Sequence, residues 1–230
     1  MSELLCGWFG RKPYVTALDW QHMLLEKRAR QLMPDVLLTL EHPPTYTAGT
    51  ATKPEHLPPV EDLTQSGAAF YRSGRGGSIT YHGPGQLIGY PIIHLSAVNY
   101  DVHRYLRLLE EACIRVLAKW GIAAHRDAPY TGVWVQGAKI AAIGVRVSRR
   151  VAMHGLAINV HPDLAAFERI TPCGIQGKGV TSMANLGINP PPLHDVAQEL
   201  CRQLAKLSGH HVRYDAEALA QICTLGEEGT

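Results

Sequence analysis

The stretch Arg75–Gln86, RGGSITYHGPGQ, holds the densest set of residues suited to chemistry. Gly76, Gly77, Gly83 and Gly85 let a backbone approach a ligand closely or take a positive φ. Arg75 and His82 stand beside them as polar handles. A plain glycine turn between two strands reads the same way. The run lacks the GK[ST] ending of a phosphate-binding loop, and no helix opens after it as a dinucleotide-binding turn requires.

Pro172–Cys173–Gly174 is the second candidate. Cys113 and Cys201 fall in helical apolar patterns and read as packing residues. Cys6 and Cys223 lie near the termini and read as incidental. Cys173 alone sits between a proline and a glycine in a loop, either as an inert thiol or as a nucleophile. A nucleophilic cysteine reacts as the thiolate and needs a lowered pKa or a neighbouring base. Lys139, at the head of the apolar run KIAAIGV, is one partner: an exposed strand-end lysine, or a partly buried amine whose pKa falls from about 10.4 toward a useful range. His82 and His154 are the others, each more simply readable as a hydrogen-bonded core histidine. The chain has 12 histidines but no HxxxH or HExxH, so no metal set is expected. Arg146, Arg149 and Arg150 form a small basic cluster, either a solvated face or a dock for an acidic carrier.

These residues need elements to hold them. Thr16 with Asp19 resembles a capping box opening a helix to about Met33, closed by Pro34. Asp101 caps a second helix, on which Tyr105, Leu109, Cys113, Val116 and Trp120 recur at helical spacing before Gly121. A short helix spans Asp163–Arg169, and another runs from about His194 to Leu207, with a further turn or two at 215–223. Strands are expected at Val36–Glu41, Ala68–Arg72, Gln86–His94, Gly132–Gln136, Lys139–Ser148 and Val151–Val160. The short links between the last three favour antiparallel neighbours. Residues 53–67 read as a surface loop. The order of helices and strands does not alternate strictly, so the fold class is α+β, layers of mixed, largely antiparallel sheet packed with helices. The expectation is one domain over 1–230, with a motif-bearing core at 36–183 and a C-terminal helical segment at 194–230.

The 230 residues carry a net charge of +2, which does not suggest nucleic-acid binding. No apolar run reaches the roughly 18 residues of a membrane helix, and no signal peptide is evident. With widely spaced cysteines and no CxxC, a reducing cytoplasm is the expected location.

Taken together, LEHPPTYTAG (40–49), RGGSITYHGPGQLIGYPI (75–92), GAKIAAIGVRVSR (137–149), HGLAINV (154–160) and ITPCGIQGKGVTSM (170–183) resemble the lipoyl(octanoyl) transferase family. The resemblance covers about residues 36–183. It implies the fold of biotin and lipoate protein ligases, and transfer of an octanoyl group without metal, ATP or other cofactor. The donor would be octanoyl-acyl carrier protein. The acceptors would be lipoyl domains of 2-oxoacid dehydrogenase E2 subunits and the glycine cleavage H protein. Cys173 would be the acyl-thioester nucleophile and Lys139 its partner in proton transfer. Arg75, Gly76, Gly77, Ser78, Ile79, Thr80, Tyr81 and His82 would line the substrate site. Ala142, Ile143 and Gly144, with Gly155, Leu156 and Ala157, would wall it further. Three rivals make different predictions: an ATP-dependent lipoate ligase that does not need Cys173, a non-catalytic carrier-docking module, and a Cys–His hydrolase with His82 as base and water as acceptor.

Overall fold

A computed structural model describes residues 2–65, 67–170 and 178–224. The chain opens with β1 (Glu3–Arg11), α1 (Tyr14–Ala29), β2 (Asp35–Glu41) and β3 (Thr45–Ala48), then α2 (Val60–Thr64), β4 (Ala69–Arg72), β5 (Ile79–His82) and β6 (Gln86–Ile92). It continues through α3 (Val102–Ala118), β7 (His125–Asp127), β8 (Tyr130–Val135), β9 (Ala138–Ser148) and β10 (Val151–Asn159). The C-terminal part holds α4 (Ala165–Glu168), α5 (Leu193–Ser208), β11 (His211–Tyr214) and α6 (Ala216–Thr224).

The central strands are apolar on both faces, which requires cover on both sides of the sheet. Leu4, Cys6, Leu37 and Leu87 face one way and pack with Leu109, Cys113 and Val116 of α3 and Val196, Leu200 and Leu204 of α5. Leu5, Val36, Leu38, Leu40, Ile88 and Ile92 face the other way and pack with Ala17, Leu24 and Leu25 of α1 and Leu219 of α6. The main sheet has the order β11-β1-β2-β6-β10-β9-β8-β7. β1 runs parallel to both β2 and β11, and the other neighbours are antiparallel. A second sheet, β4-β3-β5, closes its own small core of Tyr46, Leu63, Ile79, Tyr81, Phe167 and Ile170. The architecture is thus a mixed, largely antiparallel α+β layer fold.

Each strand expected from the sequence forms, and β8, β9 and β10 are antiparallel neighbours. The Asp101 carboxylate caps α3, accepting from His103 N at 2.8 Å and Arg104 N at 3.1 Å; such caps contribute about 1 kcal/mol. The start of α1 differs from expectation. Pro13 stands at its N-cap with φ −54°, no side chain caps it, and the helix begins two residues before Thr16. It also ends before Met33, because Gln31 takes the left-handed conformation (φ 59°) and Leu32 N reaches back to Lys27 O. Residues 53–67 are not all loop, since α2 buries Leu63 against the small sheet. The C-terminal segment is not helical throughout either: β11 pairs along β1 between its two helices. Among the described residues no helix is long and apolar enough to cross a membrane.

Candidate active site

The small sheet leans its β5 edge and the glycine loop onto β9 and β10, and a cavity of about 440 Å³ opens between them. The loop docks where β8 no longer flanks β9: Gly76 N donates to Val145 O at 2.9 Å. Gly144 makes this approach possible. A Cβ there would lie 2.8 Å from Gly76 O, so any larger residue would push the loop off the strand.

Most of the residues expected at the site meet here. Arg75, Gly77, Ser78, Ile79, Thr80, His82, Lys139, Ala142, Ile143, Gly144, Gly155, Leu156 and Ala157 all line the cavity. Gly76 and Tyr81 do not. Gly76 is spent on its bond to β9, and alternation along β5 turns Tyr81 into the small core against Tyr46 (5.1 Å between ring centroids) and Phe167 (5.5 Å). Cys173 lies outside the described residues. The residues on either side, up to Ile170 and from Lys178 on, are described. Ile170 packs in the small core beside Tyr81. Lys178 lies over the rings of Tyr130 (4.9 Å) and Trp134 (5.0 Å) and pairs with Asp127.

Lys139 is a strand-end residue, yet only 8% exposed. It pairs in register with Trp134 on β8, and its Nζ lies 4.9 Å from that ring's centroid. On its other side the chain at Val180, a few residues beyond Cys173, runs parallel to it. Lys139 N donates to Gly179 O and Thr181 N donates to Lys139 O, both at 2.9 Å. The cavity's lysine and the segment 179–181 are therefore one hydrogen-bonded unit.

Arg75, 9% exposed, is held by its own guanidinium. Nη2 donates to Thr47 O (2.6 Å) and Oγ1 (2.9 Å), Nε donates to Thr47 Oγ1 (3.2 Å), and Nη1 donates to Gly76 O (3.0 Å). His82 Nδ1 meets Gln86 Oε1 at 2.8 Å and its Nε2 meets Thr47 Oγ1 at 3.3 Å. Burial, reinforced by His42 and Arg75, pushes the His82 pKa down to about 3. Burial, with Arg75 nearby, does the same to His154, also to about 3. His42, bonded to Lys12 O and the Tyr90 hydroxyl, is held at about 4, again by burial. All three rings are neutral at pH 7.

The other cysteines are unsuited to chemistry. Cys6, Cys113 and Cys201 are buried in the main core and Cys223 in the opposite one. Those at Cys6 and Cys223 are core residues, not incidental terminal ones. Burial raises the Cys113 thiol far above the usual range and Cys223 to about 12. A hydrogen bond with Cys201 and burial raise Cys6. The basic cluster is exposed but partly engaged: Arg149 pairs with Glu26, and Arg150 lies 4.9 Å from the Tyr100 ring centroid.

Sequence reasoning missed several wall residues, among them Tyr14, Tyr90, Tyr130 and Thr131. His154 was a candidate base; it is instead a buried wall residue at φ 58°. Thr47, Gln86 and Asn159 also went unassigned, although all three lie inside recognisable motifs (40–49, 75–92 and 154–160).

Residues 13–205 match the lipoyl protein ligase A/B catalytic domain family. An octanoyltransferase of Chloroflexus aurantiacus is 46% identical over 224 residues, 95% of this chain and all of that one. One from Gloeobacter violaceus is 51% identical over 167 residues, 72% of this chain and 73% of that one. In fold the chain is similar to a lipoate-protein ligase A solved with bound ATP (TM-score 0.76, 15% identity, covering 100% of this chain and 96% of that one). It is likewise similar to a bipartite lipoate protein ligase from Thermoplasma acidophilum (TM-score 0.75, 15% identity, 100% and 94% covered). The chain belongs to the lipoyl protein ligase A/B catalytic domain family and, within it, to the octanoyltransferases, a group of acyl-transferring enzymes.

Proposed function

We propose that this chain moves an octanoyl group from the thioester of an acyl carrier protein to a lysine of a lipoyl domain, through an acyl thioester on Cys173. Acceptors of this kind are the E2 subunits of 2-oxoacid dehydrogenases and the glycine cleavage H protein, and the cytoplasm is the natural setting. The observation that carries the reading is the pairing of a buried lysine, in the wall of an apolar-sided cavity, with the backbone of Gly179 and Thr181, a few residues after Cys173.

In the first step the Cys173 thiolate attacks the thioester carbonyl, and the carrier's thiol leaves with a proton from the Lys139 ammonium. In the second step the acceptor lysine amine attacks the Cys173 thioester, an amide forms as the carbon–sulfur bond breaks and the Cys173 thiolate leaves, and the proton lost by the amine returns to Lys139. Thioester exchange is nearly balanced and amide formation is downhill, so neither step needs ATP. Backbone N–H groups of the glycine loop supply donors for the developing oxyanion. The chain's methylene and methyl groups, about seven at about 0.8 kcal/mol each, gain about 5–6 kcal/mol on burial beside Ile79, Ile143 and Leu156, all cavity walls.

His82 does not suit the role of base that a Cys–His hydrolase requires. Both its ring nitrogens are engaged, by Gln86 and Thr47. The test is transfer from octanoyl-carrier protein to a purified lipoyl domain without nucleotide. A lipoyl domain heavier by one octanoyl group supports the reading. Transfer only from free octanoate with ATP replaces it with a ligase, and free octanoate as sole product replaces it with a hydrolase.

A further inference from the structure

A continuous chain of buried polar groups joins the two halves of this site. It starts at the Thr181 carbonyl, which accepts from Asn159 Nδ2 at 3.0 Å. Asn159 Oδ1 accepts from Gln86 Nε2 at 2.9 Å. Gln86 Oε1 faces His82 Nδ1 at 2.8 Å, His82 Nε2 faces Thr47 Oγ1 at 3.3 Å, and Thr47 Oγ1 accepts from Arg75. Asn159, Gln86, His82 and Thr47 are 4%, 2%, 7% and 0% exposed, so a lost partner leaves a buried polar group costly to satisfy.

The direction of every bond follows from its ends. A carbonyl only accepts, so Thr181 O fixes the Asn159 amide nitrogen toward itself and the oxygen toward Gln86. The Tyr81 carbonyl fixes Gln86 independently, since it too faces Gln86 Nε2, at 3.3 Å. Gln86 Oε1 must therefore face His82, and His82 Nδ1 must carry the hydrogen. His82 Nε2 is left as an acceptor for the Thr47 hydroxyl, whose lone pairs are then free for Arg75. Arg75, a donor only, closes the other end.

We infer that Gln86 and Asn159 are positioning residues that lock His82 in its Nδ1–H tautomer and, through Thr181, register the segment 179–181 against Lys139. Neither lines the cavity. They act through others: Gln86 through His82 and Thr47 on Arg75, and Asn159 through Thr181, whose N–H bonds Lys139 O. The substrate loop and the lysine are thereby set by one connected arrangement, so an error at either amide reaches both.

The kinetic part rests on the octanoyl-transfer reading, whereas the tautomer part does not. Long-range ¹H–¹⁵N correlation of the histidine rings, with His82 assigned by loss of its signal in His82→Gln, reads the tautomer in the wild-type protein. Nδ1–H with a bare Nε2 from pH 5 to 8 is expected, and an Nε2–H tautomer or an imidazolium in that range overturns the inference. Asn159→Asp keeps the shape but cannot donate to Thr181 O. A fall of about 10²-fold in kcat, the scale of a displacement of about 1 Å at a reacting group, with little change in KM and unchanged far-UV circular dichroism, is expected. Turnover within twofold of wild type overturns it. Gln86→Glu places a carboxylate on Nδ1–H and should bring the His82 imidazolium into view near neutral pH; no change in its titration overturns the lock. If the wild-type protein transfers no octanoyl group, the functional reading falls while the tautomer and the Gln86→Glu titration still decide the chain of bonds.

Discussion

Gly132 lies against the side chain of Lys139: a Cβ on Gly132 would stand 3.3 Å from Lys139 Cε, 3.5 Å from Cδ and 2.8 Å from Ala141 O. Gly132 also takes φ 125°, and its N–H is tied to the buried carboxylate of Glu110 at 3.1 Å. The missing side chain at this point leaves the slot that the lysine stem occupies. Gly132→Ala should fill that slot and strain the backbone together. We expect a loss of about 1–3 kcal/mol in stability from overpacking and a fall of about 10²-fold in kcat from displacement of the amine. Urea titration and steady-state transfer measure the two. Wild-type turnover in the variant would show that the slot does not position Lys139.

Arg75 is fixed by several donors in one plane, aimed at Thr47 and Gly76 O. An ammonium cannot reproduce that fork. Arg75→Lys should leave Thr47 O short of a donor while keeping the charge, at a cost of about 1–3 kcal/mol. Urea midpoints would show the loss, and an unchanged midpoint would mean that charge alone holds the loop.

The neutral histidines make stability depend on pH. In the unfolded chain a histidine takes up its proton near pH 6.5, but His42, His82 and His154 resist it down to about 4, 3 and 3. Below pH 6.5 the unfolded state therefore binds more protons, and stability falls as pH falls toward those values. The stabilisation is fully present above pH 6.5. Each ring contributes a slope of up to about 1.4 kcal/mol per pH unit. Denaturant unfolding from pH 7.5 to 4.5 should show the decline, and replacing His154 by Gln should reduce it. A flat profile would mean that these rings are charged in the folded protein.

Chain length should respond to the cavity wall. Ala142 lines it between Lys139 and Ile143, and a leucine there shortens the space for the acyl tail. Each methylene excluded forfeits about 0.8 kcal/mol, about fourfold in affinity. Ala142→Leu should move the preference toward shorter acyl donors. Competition between octanoyl and hexanoyl carrier protein would report the shift, and an unaltered ratio would place the tail elsewhere.

Much of this was legible in the sequence for identifiable reasons. The long runs of β6 and β10 announce themselves because a strand covered on both faces must be largely apolar. Lys139 drew notice because a charge at the head of such a run demands an explanation. β3 and β5 did not, since four-residue strands (TYTA and ITYH) are too short for their alternation to stand out. Thr47, Gln86 and Asn159 were silent for a related reason. A buried polar side chain is defined by its partners, and theirs lie 35, 4 and 22 residues away. The start of α1 was misplaced because Thr16 and Asp19 imitate a capping box, whereas Pro13 sets the helix in motion.

The central claim is that the acyl group passes through Cys173. The measurement is the intact mass of the protein after exposure to octanoyl-carrier protein without ATP, for the wild type and Cys173→Ala. One octanoyl increment on the wild type, absent from the variant and cleared by a lipoyl domain, is the result this account predicts. An unmodified wild-type protein that still transfers octanoyl, or a Cys173→Ala variant that acquires the increment, would contradict it.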